Sequence, residues 1–443
     1  MTDLSEFGLK VPEILLPKEK NLETWCVVAC DQFTQNPEYW ENVKNATQGK
    51  PSTLNIILPE VFLSADDRAE RISKIKNTMN DYLSGGVFDS PKEQIIYLER
   101  TTPFGRKRCG LICALDLDSY EWKPFAKSLV RATEATIVER IPPRKEIRNG
   151  ASLESPHIML LVNDREHKLV EGCGNFAKKN PPCYDSDLML SSGHVTGWAL
   201  DDEEMLLKVK GALGEIKAKN TSSCGDCFLF AVGDGNHSLA TAKAVWEEYK
   251  ARLLSEGKSE AEVMQSRVRY ALVEIVNIYD EGLTFEPIHR VLLNVNADEL
   301  IKKLADSLGG KIEEAADAST LEKSVHGSNA DFGFIFKKDG KCRYVLLKTS
   351  IKELAVSRLQ PVLDAYIAEN KKTNPELEID YIHGSDELFR LGTKEGNVSL
   401  MLPPVAKDSF FNTINQTGPL PRKSFSMGEA SEKRFYLECR KLF

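Results

Sequence analysis

Residues 233–238, Gly-Asp-Gly-Asn-His-Ser, set two glycines, a carboxylate, an amide, an imidazole and a hydroxyl between an apolar run at 228–232 and a long amphipathic segment. Such an order predicts a buried strand that turns into a helix, with the polar cluster at the turn. A helix N-terminus presents N–H groups and a positive dipole end to an anion, and glycines let that backbone approach a phosphate closely. Gly233 and Gly235 meet the second requirement, and Asn236 and Ser238 add polar side chains, each also suited to capping the helix. Ser238 stands where the dinucleotide fingerprint has its third glycine, and no Gly-x-x-x-x-Gly-Lys-Ser/Thr run occurs in the chain. A carboxylate beside a phosphate needs a metal ion, or a hydroxyl or ammonium of the substrate, between the two. Asp234 is therefore a candidate Mg²⁺ ligand, and with His237 a candidate catalytic residue. The same residue types build ordinary turns, and His237 serves equally as a satisfied histidine at a helix start. On residue types alone, a structural turn and an anion site weigh the same.

A second cluster lies in "RATEATIVERIPPRKEIRNG", which carries Arg131, Glu134, Arg140, Arg144, Lys145 and Arg148 around Pro142 and Pro143, a pair that cannot continue a helix. Guanidinium forks suit phosphate and carboxylate recognition. Glu134, in a strand-like run between Thr133 and Thr136, is a candidate general base for phosphoryl transfer. The ordinary fate of such a charge run is a solvated turn. Two further clusters are His289 and Arg290 in "EPIHRV", and the C-terminal "GPLPRKSFSMGEASEKRFYLECRK", whose Arg422, Lys423, Ser424, Ser426, Glu429, Lys433 and Arg434 read as an anion clamp or a docking helix.

The elements that must position these residues follow from periodicity. "WCVVAC" and "STLNIILP" read as strands, "DDRAERISKIKNTMNDYLSGG" as a helix stopped by glycines, and "EQIIYLERTT" and "RCGLICALDL" as paired strands. "DEEMLLKVKGALGEIKAKN" is helical and leads into the 233–238 turn. "VRYALVEIVNIYDEGLTFEPIHRVLLNV" reads as strand, turn and strand. Residues 296–349 read as helix, strand, helix and a hairpin turned at Lys338-Asp339-Gly340. The fold expected is α+β with a mixed sheet, divided into an N-terminal region 1–220, a strand-turn-helix core 221–295, a small inserted α/β subdomain 296–349 and a C-terminal region 350–443 that packs back on the core.

At 443 residues the chain is too long for one core, and its net charge of −8 argues against a sequence-independent grip on nucleic acid. The first residues lack a basic-then-apolar leader and no apolar run spans a bilayer, so a cytoplasmic protein without membrane contact is expected. Ten cysteines are then free thiols by default. Cys224-Gly-Asp-Cys227 precedes a strand instead of opening a helix, and neither Cys26/Cys30 nor Cys109/Cys113 is an obvious second ligand pair for zinc.

The stretches "CDQFTQNPEYW", "RATEATIVERIPPR", "SPHIMLLVND", "GDGNHSLATAK", "PIHRV" and "LPRKSFSMGEASEKRFYLECRK" together resemble the family called domain of unknown function 1015. Its turn is in turn similar to the phosphate-binding helix start of the ParB/sulfiredoxin-like superfamily, which includes free-serine kinases. Asp234, Gly235 and His237 match the wider Asp-Gly-His-His-Arg turn; Asn236 replaces its first His and Ser238 its Arg. The resemblance implies a ParB/sulfiredoxin-like core that binds ATP or ADP with Mg²⁺. It also implies transfer of a phosphoryl group to a small amino or hydroxy acid, serine foremost. In that picture Glu134 matches a catalytic acid, and Arg131, Arg144 or Arg290 supply the missing cation. The alternative it implies is a non-catalytic nucleotide-binding regulator. A sulfiredoxin-like repair enzyme is disfavoured, because Asn236 fills the place of its cysteine.

Overall fold

The computed structural model describes residues 2–30, 33, 36–155 and 158–443; the remaining residues of the quoted "CDQFTQNPEYW" and "SPHIMLLVND" segments lie outside the described residues. The chain folds into two compact units, residues 1–283 together with 429–443, and residues 284–428. The helix-strand-helix-hairpin segment at 296–349 lies within the second unit, 284–428.

The first unit is built on a ten-stranded mixed sheet. Its order runs Tyr184–Asp187, His194–Leu200, Ile95–Thr101, Lys107–Asp116, Tyr270–Asn277, Met159–Val162, Phe230–Asp234, Val130–Ala132, Tyr120–Glu121, with Leu9–Lys10 beside Lys107–Asp116. Ile95–Thr101 and Lys107–Asp116 pair antiparallel, as the two apolar runs predict. Met159–Val162 lies parallel to Tyr270–Asn277 and antiparallel to Phe230–Asp234, which in turn lies parallel to Val130–Ala132. The central strands are buried on both faces, with Arg100, Arg108, Glu274 and Asn277 among the buried polar exceptions to their apolar side chains.

Helices read from the pattern form where expected. Arg68–Ser84 buries Ile72, Ile75 and Met79, a three-four spacing on one face, and ends at Gly85. Glu203–Asn220 begins where Asp202 accepts a hydrogen bond from the Met205 amide, 2.7 Å. Two strand expectations are corrected. In "STLNIILP", residues Thr53–Ile56 form a 3₁₀ turn: Ser52 Oγ accepts from the Leu54 amide, a local bond that competes with a ladder, and Thr53 Oγ1 donates to Trp25 O at 2.7 Å, a tertiary bond that anchors the turn. In "WCVVAC" only Val27–Val28 is a strand, and it pairs with Phe435–Tyr436 of the C-terminal segment.

The second unit carries a six-stranded sheet, ordered Lys311–Glu314, Lys341–Lys348, Phe332–Lys338, Val398–Met401, His289–Leu293, Glu378–Ile382, with every pairing antiparallel. His289 is buried there, and its Nδ1 accepts a hydrogen bond from the Leu402 amide at 3.1 Å, which requires a neutral ring. Burial first, then the positive charges of His326, Arg290 and His383, pull its pKa down to about 4 from 6.5. Below pH 6.5 the unfolded chain takes up a proton that the fold refuses. Stability is therefore fully present above pH 6.5 and is lost as the pH falls towards 4, by on the order of 3 kcal/mol. Hydrogen exchange of strand His289–Leu293 should lose protection between pH 7 and pH 4.5 in the native protein, and much less in His289→Gln. Equal slopes would refute the assignment.

Candidate functional site

Strand Phe230–Asp234 steps from Val232 to Asp234 where its partner steps only from Leu160 to Met159. Gly233 is the extra residue of this bulge, a device that re-aims the side chain beside it. A Cβ at position 233 would lie 2.8 Å from Leu161 Cγ, so packing as well as turning requires the glycine. Gly235 follows with φ +83° as the N-cap of helix Asn236–Ser255. Asn236, expected as a cap, is instead the first helical residue, and its side chain faces sideways.

That sideways contact joins the first two sequence clusters. Asn236 Oδ1 accepts from the Thr133 amide at 3.2 Å, and its Nδ2 donates to Thr133 Oγ1 at 3.3 Å and Val232 O at 3.4 Å. Thr133 Oγ1 donates to Val232 O at 2.6 Å. The Ile137 amide donates to His237 Nε2 at 3.2 Å, which commits His237 to a neutral imidazole protonated on Nδ1. Glu134, half-buried, lies one residue beyond the anchored Thr133. The chain there is not the strand expected, since the ladder stops at Ala132. Pro142 and Pro143 do not break a helix but start one: they occupy the first turn of Ile141–Arg148, where a missing N–H costs nothing. This helix packs on Asn236–Ser255.

Between these elements lies a cavity of about 180 Å³. Ser238, Arg144, Arg148, Glu60, Glu154 and Tyr436 supply its polar wall, and aliphatic side chains such as Met79, Ile147 and Leu272 the rest. Arg144 is paired with Glu60, and Arg148 with Glu154 at 2.6 Å. Burial pushes the Glu154 carboxyl up, but Arg148 and Arg440 outweigh it and hold the group below its ordinary value. The Tyr436 phenol, enclosed although its residue is partly exposed, is raised by burial and then by the charges of Glu60, Cys30 and Asp234, with Arg144 opposing. Asp234 is thus within electrostatic reach of Tyr436, a wall of the cavity. Its Oδ1 accepts from the Gly235 amide at 2.8 Å, and its Oδ2 lies 3.7 Å from Lys433 Nζ. The Asp234 side chain is 37% exposed, open enough to meet a ligand.

The structure therefore gathers Gly233, Asp234, Gly235, Asn236, His237 and Ser238 with Arg144 and the chain bearing Glu134. Other candidates are engaged elsewhere. Arg131 donates to Asp226 at 2.6 Å and lies 4.6 Å over the Phe228 ring, nearly fully buried. Arg290 is fully buried in the second unit, where it donates to Gln360 Oε1 at 3.0 and 3.1 Å and to Ile288 O. His289 is in the same core, as described above. Arg422 and Lys423 are exposed on the second unit. As suppliers of the missing cation, Arg131 and Arg290 are corrected to packing roles, because burial and fixed acceptors hold their guanidinium groups in place. Residues missed as candidates are Glu60 and Tyr436, whereas Lys433 stands among the named residues of the C-terminal cluster. Lys433 and Tyr436 sit in the C-terminal cluster whose basic run was legible; Glu60 is a lone acid in an apolar stretch and carried no signal.

For a divalent cation, no group of three or more His, Cys, Asp or Glu able to hold a metal occurs among the described residues. Asp234 is a single carboxylate at the turn. Such a ligand fits Mg²⁺ only when substrate phosphates and water complete the shell, a common mode for that ion.

Gly235→Ala tests the turn. An L-residue at φ +83° costs about 1–2 kcal/mol, and the new Cβ would press on Ile158 at 3.0 Å, a wall of the cavity. The expected result is a lower denaturation midpoint by tryptophan fluorescence; an unchanged midpoint would show that the turn adapts freely.

The family described as "Protein of unknown function (DUF1015)" matches residues 12–366. No curated protein matches the chain. Among solved structures, a mutant free serine kinase in complex with AMP is similar at 9% identity and a TM-score of 0.39, over 75% of this chain and 92% of that one. A conserved hypothetical protein from Pyrococcus furiosus gives 11% identity and 0.33, over 74% and 90%. SbnI with C-terminal truncation from Staphylococcus aureus gives 9% and 0.34, over 72% and 83%. Among the described residues no helix is long and apolar enough to cross a membrane.

Proposed function

The chain belongs to the DUF1015 family, and from that premise we propose that it is a nucleotide-dependent phosphotransferase acting on a small amino or hydroxy acid, with ATP or ADP as donor and serine as the first acceptor to try. The observation that carries this reading is the convergence of two distant clusters: the chain around Glu134 and Arg144 is bonded to the 233–238 turn through Thr133, Asn236, Ile137 and His237. A structural turn alone has no need of a half-exposed acid, a lysine beside it and a cavity against its first helical turn.

In this mechanism the start of helix Asn236–Ser255 receives the nucleotide phosphates, whose charge its dipole favours. The acceptor hydroxyl oxygen attacks the terminal phosphorus, the bond to the bridging oxygen breaks, and the hydroxyl proton passes to Glu134. Arg144 and Lys433 offset charge on the transferring group. Asp234 would share a Mg²⁺ with the phosphates, an ion that supplies charge neutralisation when bound. His237, neutral and held by the Ile137 amide, positions the turn.

The test is incubation of the protein with Mg²⁺, ATP or ADP and a panel of amino and hydroxy acids, with mass spectrometry of the products. A phosphorylated acid formed by the native protein and lost in Asp234→Asn supports the reading. Nucleotide-dependent thermal stabilisation without product would move the protein to the regulatory class, and neither signal would leave the turn as structure only.

A further inference from the structure

Three arginines of the hairpin formed by Ile95–Thr101 and Lys107–Asp116 converge on one short stretch of the C-terminal segment. Arg100, fully buried, donates from its two terminal nitrogens to the carbonyls of Ser431 at 2.5 Å, Glu432 at 3.2 Å and Lys433, and also to Ser192 O at 3.3 Å. Arg108, its partner across the ladder, donates to the same Glu432 carbonyl at 3.0 Å. Arg106 holds both carboxylate oxygens of Glu432. Ala430–Glu432 is a single 3₁₀ turn, and the last carbonyls of such a turn lack partners within it, a need that a guanidinium among them meets. Two like charges facing across a ladder are unfavourable, and a buried charge costs less where acceptors surround it. The carbonyls of 431–433 therefore stabilise Arg100 as firmly as Arg100 fixes them.

Lys433 is the residue that this clamp displays. Its backbone is extended, so its side chain leaves the chain on the side opposite to those of Glu432 and Arg434. Glu432 is bonded to Arg106, and Arg434 to Glu274 and Glu438, whereas the Lys433 ammonium stands 3.7 Å from Asp234 Oδ2, beyond hydrogen-bond distance. The Lys433 side chain is only 12% exposed, which leaves it few conformers. A cation held beside a helix start, its charge only partly met by Asp234, is placed to receive an anion. We infer that Arg100 is a positioning residue: by fixing the carbonyls of 431–433 it sets the Lys433 ammonium where it binds the terminal phosphate of the donor at the 233–238 turn. This assignment rests on the nucleotide-dependent reading above. Arg100 acts through Lys433, since its bonds go to backbone carbonyls.

Isothermal titration with pyrophosphate of the native protein, Arg100→Lys, Lys433→Met and the double variant closes a cycle that separates positioning from general support of the fold. Lysine at 100 keeps the charge but lacks the planar fork that holds several carbonyls at once. The expected result is a loss of affinity of about tenfold in Arg100→Lys and of about tenfold or more in Lys433→Met. The double variant should bind no more weakly than Lys433→Met, because Arg100 has nothing left to position. A merely structural role of Arg100 would multiply the two losses. That outcome, or an undiminished affinity in Arg100→Lys, would overturn the inference. Should Arg100→Lys fail to fold, Arg106→Gln, at a side chain 32% exposed, loosens the same stretch through Glu432 and enters the same cycle with an expected loss of about threefold. Full retention of pyrophosphate affinity in Lys433→Met would overturn the inference and leave the proposed function to rest on Arg144. No binding of pyrophosphate, ATP or ADP by the native protein would sink both.

Discussion

Glu134→Gln is expected to lower turnover by about 10²–10⁴-fold, the usual contribution of one general base, while nucleotide affinity stays within a factor of about two. Glutamine keeps the shape and hydrogen-bonding reach of the side chain and removes only its basicity. The backbone at 134 is fixed from both sides, by Thr133 on Asn236 and by Ile137 on His237, so the substitution has no reason to shift the turn. Single-turnover phosphotransfer in a quench-flow instrument reads the chemical step directly, and a nucleotide titration provides the control. A kcat unchanged within threefold would remove Glu134 from the mechanism and direct attention to Asp234. Loss of nucleotide affinity in the same proportion as kcat would make Glu134 a binding residue instead.

Arg434→Met should cost about 3–5 kcal/mol of stability, the range for removing one partner of a buried ion pair. Arg434 is 1% exposed, and Glu274 and Glu438 are fully buried on either side of it. Its Nε lies 2.9 Å from Glu274 Oε2, its Nη2 donates to Glu438, and Tyr184 donates to the other Glu438 oxygen at 2.7 Å. Burial lowers the Arg434 pKa, but Glu438 and Glu274 raise it by more, so the guanidinium is charged at any pH of interest. Without it, two buried carboxylates retain Arg108, whose Nε is 3.8 Å from Glu274 Oε1, as the nearest described cation. All five tryptophans, Trp25, Trp40, Trp122, Trp198 and Trp246, lie in the first unit, so their fluorescence in urea follows the unfolding of the unit that holds this network. Arg434→Met combined with Glu274→Gln should recover part of the loss. A midpoint shift worth under about 1 kcal/mol would show that water reaches the pair, as it does at surface ion pairs.

Legibility of the chain followed the reach of each physical signal. The strand-turn-helix at 230–255 and the helices at 68–84 and 203–220 were readable because apolar spacing and capping residues act within a few positions. Ser52 and Thr53 misled in the other direction: "STLNIILP" has the composition of a strand, but the local bond of Ser52 to the Leu54 amide and the tertiary bond of Thr53 to Trp25 O hold it as a turn. In the site, Asp234 and Arg144 were identifiable by type and their neighbourhood by the glycines. Arg131 and Arg290 were chosen on the same grounds and proved to be buried with acceptors of their own, since a guanidinium reads alike in a sequence whether Asp226, Gln360 or a phosphate faces it. Glu60 is reached only through the tertiary fold, by an ion pair with Arg144 across 84 positions.

The first unit is discontinuous, because residues 429–443 return to it after the whole of 284–428. During synthesis the ribosome must therefore deliver the second unit before Arg434, Tyr436 and Glu438 exist. Until then Glu274 has no Arg434, strand Val27–Val28 has no partner strand and the cavity has no Tyr436 wall. Nascent chains ordinarily fold domain by domain from the N-terminus. Here the second unit can do so, whereas the first unit has to wait for residues 429–443, so a ribosome stalled before residue 429 would hold a protein whose second unit is complete and whose first unit is not.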